Sequence, residues 1–181
     1  MSISKIINDC KKGNLNARKD IYNHFSKKAM GICLRYCSSR QEAEDYLKVS
    51  FFNIFKNINF YESDIAPELW LKKIVINTVV KEIKKKNGNK LLLLETNYKR
   101  NEFTFESSSL YNNNIQIEFL KRLPDGKRVI FNLHAIEGYS HPEIATLLEI
   151  QESTSILQLA KAKEMLQEMH LNYHNTVIIR A

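Results

Sequence analysis

The residue types that most often do chemistry are sparse in this chain and do not cluster. Cys33 and Cys37 lie four residues apart, a spacing that one helix face can offer to a metal, with Cys10 and His24 elsewhere. No Cys-x-x-Cys pair or clustered histidines complete a ligand set, so the thiols read as small buried hydrophobes and no metal is expected. His24, His134, His141, His170 and His174 stand apart from any nucleophile motif or paired carboxylate. Glu42, Glu44 and Asp45 read as a helix N-terminal charge set, not as an acid–base pair. There is neither a phosphate-binding Walker loop nor a dinucleotide fingerprint. No catalytic residue, no cofactor and no enzyme activity is therefore expected, which leaves binding.

One group of residues has the composition of a binding site. Lys56, Asn59, Phe60, Tyr61, Lys72, Lys73, Asn77, Lys81 and Lys84 to Lys86 combine cations with aromatic rings and amides. Lysines near phosphates, with rings and amides near bases, are what a single-stranded nucleic acid site needs. The same residues also fit a plainer account, in which Phe60 and Tyr61 pack the core and the lysines are simply solvated. The charge distribution bears on this choice. Residues 1–86 hold 17 Lys/Arg and 9 Asp/Glu, whereas residues 115–181 hold 7 and 8. The whole excess behind the net charge of +7 is thus in the first half. A basic half beside a neutral one suits a polyanionic partner.

The elements that must position these residues read as helices. The chain has 181 residues, enough for one medium domain or two small ones. Its five glycines and three prolines leave little material for the turns of an all-β fold. No apolar run approaches the ~18–20 residues of a membrane span. The first residues lack the apolar stretch of a secretory signal, and three cysteines are an odd number, so a reducing cytoplasm is expected. From Asn14 to Ser38, apolar residues recur at three- and four-residue steps, with Asn14 as the cap. Ser39 to Glu42 form a capping-box sequence opening a helix with Ala43, Leu47, Phe51, Ile54 and Ile58 on one stripe. Residues 60–66 read as a loop. Pro67 starts a third helix holding Trp70, Ile74 and Val79, which runs to Lys86 before Gly88.

Periodicity is lost between 87 and 114, which reads as a linker because it is too long for a loop inside one compact domain. Leu91 to Leu94 are an apolar island within it. A second block follows. A short helix spans Ile115 to Leu123, and another starts at Pro124 with Val129, Ile130, Leu133 and Ile136 inward. Ser140 to Glu143 make a second capping-box sequence, opening a short helix with Ile144, Leu147 and Leu148. A turn at Glu149 to Gln151 leads into a long helix from about Glu152. Short helix, tight turn, longer helix is the helix-turn-helix pattern. The expected architecture is all-α: a domain over 1–86, a linker over 87–114 and a helix-turn-helix domain over 115–181.

Three runs in this order resemble a known family. Ala43 to Phe51 (AEDYLKVSF) is similar to an AEDLVQETF run, Trp70 to Asn77 (WLKKIVIN) to WLYRIARN, and Glu137 to Ala145 (EGYSHPEIA) to EGYSYEEIA. All three belong to bacterial sigma factors of the extracytoplasmic-function (ECF) group in the sigma-70 family, and the resemblance spans almost the whole chain. It implies a factor that binds core RNA polymerase and directs it to promoter DNA, with an anti-sigma factor as a further partner. By position, Asp45, Lys48, Val49 and Phe51 would dock on polymerase. Asn59, Phe60, Tyr61, Lys73, Asn77, Lys81 and Lys84 would engage the −10 element. Thr154, Ile156, Leu157, Gln158 and Lys161 would meet the −35 element.

The chain also departs from the family pattern. Lys48 and Val49 replace a Gln and a Glu, Ile76 replaces an Arg, and Glu149 replaces the usual turn glycine. On the last helix, Leu159, Ala162 and Leu166 keep an inward stripe, which turns Ile156, Leu157 and Ala160 outward. Those apolar residues fit thymine methyl groups, or else a protein partner. Two other classes therefore stay open on the residues alone: a sigma-like adaptor that binds protein without initiating transcription, and a plain helix-turn-helix regulator.

Overall fold

The computed structural model describes residues 3–88 and 113–179. Leu91 to Leu94 and most of the expected linker lie outside the described residues. The chain divides into two compact units, Met1–Ile83 and Lys84–Ala181. Among the described residues there is no strand.

The first unit starts with a helix that the sequence reading did not anticipate, α1 (Ile3–Lys11). Ile6, Ile7 and Cys10 supply its buried face, a period carried by only nine residues. It packs on α2 (Leu15–Tyr36), which buries Ile21, Phe25, Ala29, Ile32, Cys33 and Tyr36. Asn14 caps α2 as expected: its Oδ1 accepts from the backbone N–H of Asn16 at 2.9 Å. All three cysteines are buried free thiols, and burial pushes Cys33 up to about 12. A thiol so disfavoured as thiolate is a packing group and a poor metal ligand.

α3 (Arg40–Asn57) packs antiparallel to α2 across a tight turn. Its start differs from a full capping box. Ser39 Oγ accepts from the Glu42 N–H at 3.2 Å, but the Glu42 carboxylate accepts from the N–H of Ser38 at 3.0 Å. A one-turn 3₁₀ segment, Ile58–Phe60, ends this hairpin, and α1 packs against it. α4 (Pro67–Asn87) buries Leu71, Val75, Ile76, Val79, Val80 and Ile83, while Trp70 and Ile74 are half-buried. The family Arg position is thus an inward one in this chain, which suits Ile76. Asn53 of α3 donates to Thr78 Oγ1 of α4 at 3.0 Å, tying the two helices.

The second unit contains α5 (Asn113–Arg122), α6 (Asp125–Phe131), α7 (His141–Leu148) and α8 (Glu152–Ile179). Arg128, 1% exposed, pairs with Asp125 and donates to the Lys121 carbonyl at 2.9 Å, so it closes the end of α5 from inside the core. α6 continues into one π turn, Asn132–Ile136, whose Glu137 N–H donates to the Asn132 carbonyl at 2.9 Å. The wider turn corrects one expectation. Val129, Ile130 and Leu133 are buried, but Ile136 is 42% exposed. A π turn holds more residues per turn than an α turn, so the three-residue step from Leu133 that would bring Ile136 inward on an α-helix leaves it at the surface.

Candidate functional site

The loop between α3 and α4 is organised by an aromatic ring that points inward. Tyr61 is 4% exposed, its ring lies edge-on to Trp70 at 5.3 Å, and its hydroxyl donates to the Ile65 carbonyl at 2.8 Å. The resemblance puts Tyr61 on the DNA-facing set, but it is the anchor of the loop, as the packing account has it for Tyr61 and not for Phe60. The reason is that its ring fills the space beside Trp70 while its hydroxyl finds a backbone acceptor, the arrangement that a buried tyrosine requires. Phe60, one residue earlier, is 76% exposed. Asn59 is exposed beside it. The loop therefore presents an amide and an aromatic face to solvent from a fixed backbone.

On α4, Lys73, Asn77 and Lys81 are all exposed. They follow one another at four-residue steps and so share a stripe. Lys84 shares their arc and is half-buried. The stripe extends one step N-terminal to Leu69, which is 61% exposed, and Ile65 in the loop is 43% exposed. Ile65 lies in the 60–66 loop read from sequence, whereas Leu69 is not among the residues that reading names. The four-residue step back from Lys73 was the available signal for Leu69.

A second exposed face lies on α3. Asp45 and Lys48 are exposed and form an ion pair at 3.0 Å. The lysine hydrogen bond holds the Asp45 carboxyl below its usual value, and Asp45 in turn raises Lys48. Val49 is half-buried. Phe51 is not on this face. It is 4% exposed and packs against Tyr22 with ring centroids 4.7 Å apart. Its place on the Ala43–Leu47–Ile54 stripe dictates burial, and the carry-over from the family motif placed it wrongly outside. One residue on is 100° around the helix, and Phe52 there is 66% exposed. Phe52 is the aromatic that this surface presents.

In the second unit the helix-turn-helix geometry is complete. Ser140 and Glu143 form a full capping box at the start of α7: Ser140 Oγ accepts from the Glu143 N–H, and Glu143 accepts from the Ser140 N–H at 2.8 Å. Glu149 closes α7 in the left-handed conformation, with φ 58° and its N–H on the Ala145 carbonyl. Glu149 thus takes the left-handed conformation that a glycine favours. His141 Nδ1 lies 2.9 Å from the buried Ser155 Oγ, linking α7 to α8, and its ring meets His134 edge-on at 4.4 Å. Burial lowers the pKa of His141, and His134 adds to the effect.

Two family models match the chain: sigma-70 region 2 over residues 21–88 and sigma-70 region 4 over residues 117–166. This chain belongs to the sigma-70 family. Its relatives place it in the ECF group. It is 29% identical to the ECF RNA polymerase sigma factor SigW of Bacillus subtilis, over 93% of this chain and 96% of that protein. It is 24% identical to the ECF RNA polymerase sigma-E factor of Haemophilus influenzae, over 90% and 92%. It is 19% identical to the RNA polymerase sigma-H factor of Pseudomonas aeruginosa, over 91% of each. As a sigma factor it directs transcription initiation at promoters.

The expected placement of residues on α8 needs a correction. Leu159, Ala162 and Leu166 are buried, as the inward stripe predicts, and Ile156 is 44% exposed. Leu157 and Ala160 are half-buried. Thr154, Gln158 and Lys161, expected on the DNA side, are all buried as well. α5, α6 and α7 all pack on α8. A helix contacted by three others buries a wider arc than one apolar stripe, and the flank carrying these three residues falls inside it.

Proposed function

We propose that the two units divide promoter recognition between them. The first docks on core RNA polymerase through the α3 face around Asp45, Lys48, Val49 and Phe52. It holds the unstacked −10 strand between the 59–66 loop and the Lys73–Asn77–Lys81 stripe, with Lys84 continuing the arc. Lysines on one stripe neutralise successive phosphates, while Phe60 and Asn77 supply a stacking face and an amide for base edges. The second unit meets the −35 element with the start of α8. Ile156 and Leu157 suit thymine methyl groups in an A·T-rich site. The protein acts as a binding factor in the cytoplasm and not as an enzyme, with an anti-sigma protein as its regulator.

The observation that carries this reading is the contrast between Tyr61, 4% exposed, and Phe60, 76% exposed. A loop whose ordered anchor holds the next aromatic ring in water is built to receive a flat partner. No helix among the described residues is long and apolar enough to cross a membrane. Co-purification with core polymerase, followed by run-off transcription on a genomic library, is the experiment. Binding with defined start sites supports the proposal. Failure to bind core, under conditions where a control sigma factor binds, would sink it and leave a protein-binding adaptor as the alternative.

A further inference from the structure

We infer that Lys11 is a positioning residue for the base-capturing loop, an inference that rests on the reading of that loop given above. Lys11 ends α1, a helix that lies before the stretch matched by the region 2 family model, residues 21–88. Its ammonium donates to the Tyr61 carbonyl at 2.6 Å, across 50 residues of sequence. The same ammonium lies 5.5 Å from the centroid of the Tyr61 ring. One cation thus engages both the backbone and the side chain of the residue that anchors the loop.

The consequence follows from where Tyr61 sits. Its hydroxyl holds the Ile65 carbonyl and its ring holds Trp70, so it links the end of the α3 hairpin to the first turn of α4. The peptide that Lys11 grips joins Tyr61 to Glu62, one residue beyond Phe60. A carbonyl held by a charged donor has one orientation, and the charge-assisted bond is stronger than a neutral one. The backbone that carries the exposed Phe60 ring is therefore held on its C-terminal side. A catalytic or recognition group held within narrow limits discriminates better than one that samples several poses. Lys11 does not touch the strand; it sets the pose of the residue that does.

Holoenzyme reconstituted with core polymerase is used to select from fork-junction DNA whose single-stranded non-template segment is randomised. Wild-type protein is expected to select a base at the captured position. Lys11→Met keeps the stem and removes the donor. It is expected to lose about tenfold of the preference at that position, the size one charge-assisted hydrogen bond can carry, with preferences elsewhere retained. Lys11→Arg, which keeps a charged donor, restores most of it. Lys12→Met removes an equal charge from the exposed neighbouring position and leaves the preference unchanged. Unchanged selection by Lys11→Met overturns the inference. So does a uniform loss at all positions matched by Lys12→Met, which is a charge effect only.

Hydrogen exchange of amides 58–66 in the free full chain gives the second readout. Exchange about tenfold faster in Lys11→Met than in Lys12→Met supports the clamp; equal rates overturn it. If wild-type holoenzyme selects no single-stranded base, the reading of the loop has failed. The clamp is then judged by the exchange rates alone. Should Lys11→Met lose its cooperative melt, Lys11→Gln carries the same comparisons.

Discussion

An adjacent pair of aromatic residues shows how residue-scale placement decides function. Phe51 and Phe52 differ by one position, yet one is 4% and the other 66% exposed. Phe51→Ala should cost about 3–5 kcal/mol of unfolding free energy, as truncation of a packed ring does. Phe52→Ala should stay within about 0.5 kcal/mol in the same denaturation experiment. The same variant should weaken association with core polymerase, measured by titration of labelled protein. Retained affinity in Phe52→Ala would remove that ring from the docking surface. His141 offers a pH-dependent test. Its folded pKa lies below the ordinary 6.5, mainly through burial, so the unfolded chain binds the proton more readily. Stability should therefore be fully present above about pH 6.5 and decline as pH falls through and below that value. Thermal melts at pH 7.5 and 5.5 should show this fall, and His141→Gln should reduce it. At the exposed Asp45–Lys48 pair, Lys48→Gln should leave the melting temperature unchanged, because a solvated ion pair contributes little.

Single elements carry their own tests, and their legibility follows from how local their determinants are. The Ser140–Glu143 capping box is visible in four consecutive residues and forms as written. Ser140→Ala should destabilise the chain by about 1 kcal/mol in urea denaturation. Glu149 holds a left-handed conformation at φ 58°, where a side chain costs roughly 1 kcal/mol and glycine costs nothing comparable. Glu149→Gly should therefore raise the unfolding free energy by several tenths of a kcal/mol up to about 1, net of the added freedom of the unfolded chain, and the urea midpoint with it. A lowered midpoint would show that the carboxylate side chain contributes more than its backbone strain costs. The π turn at Asn132–Ile136 had no such local signature. Its spacing is compatible with an ordinary helix.

At the scale of the whole molecule, the charge asymmetry makes a measurable statement. With the excess positive charge confined to the first half, single-stranded promoter DNA should bind through that half with a clear salt dependence. If Lys73, Lys81 and Lys84 each neutralise one phosphate, the slope of log affinity against log salt is roughly −2. Lys81→Gln should flatten it by about 0.7 while lowering affinity for all sequences alike. A slope unchanged by that substitution would take Lys81 off the phosphate path.

What the sequence determined by itself is the set of properties with short-range causes. Helix periods, the Asn14 cap, the Ser140 box and the turn before α8 are each written in a few neighbouring residues, and together they define two all-helical units. The family likeness was legible in three short runs for the same reason. Which member of a pair faces water was not. Tyr61 lies inward because Trp70 and the Ile65 carbonyl receive it, and both are brought there by the fold. Thr154, Gln158 and Lys161 are buried because three helices converge on α8. Lys11 reaches the loop only because α1 folds back onto the end of the α3 hairpin. Such placements depend on contacts between residues far apart in the chain, and only tertiary packing decides them.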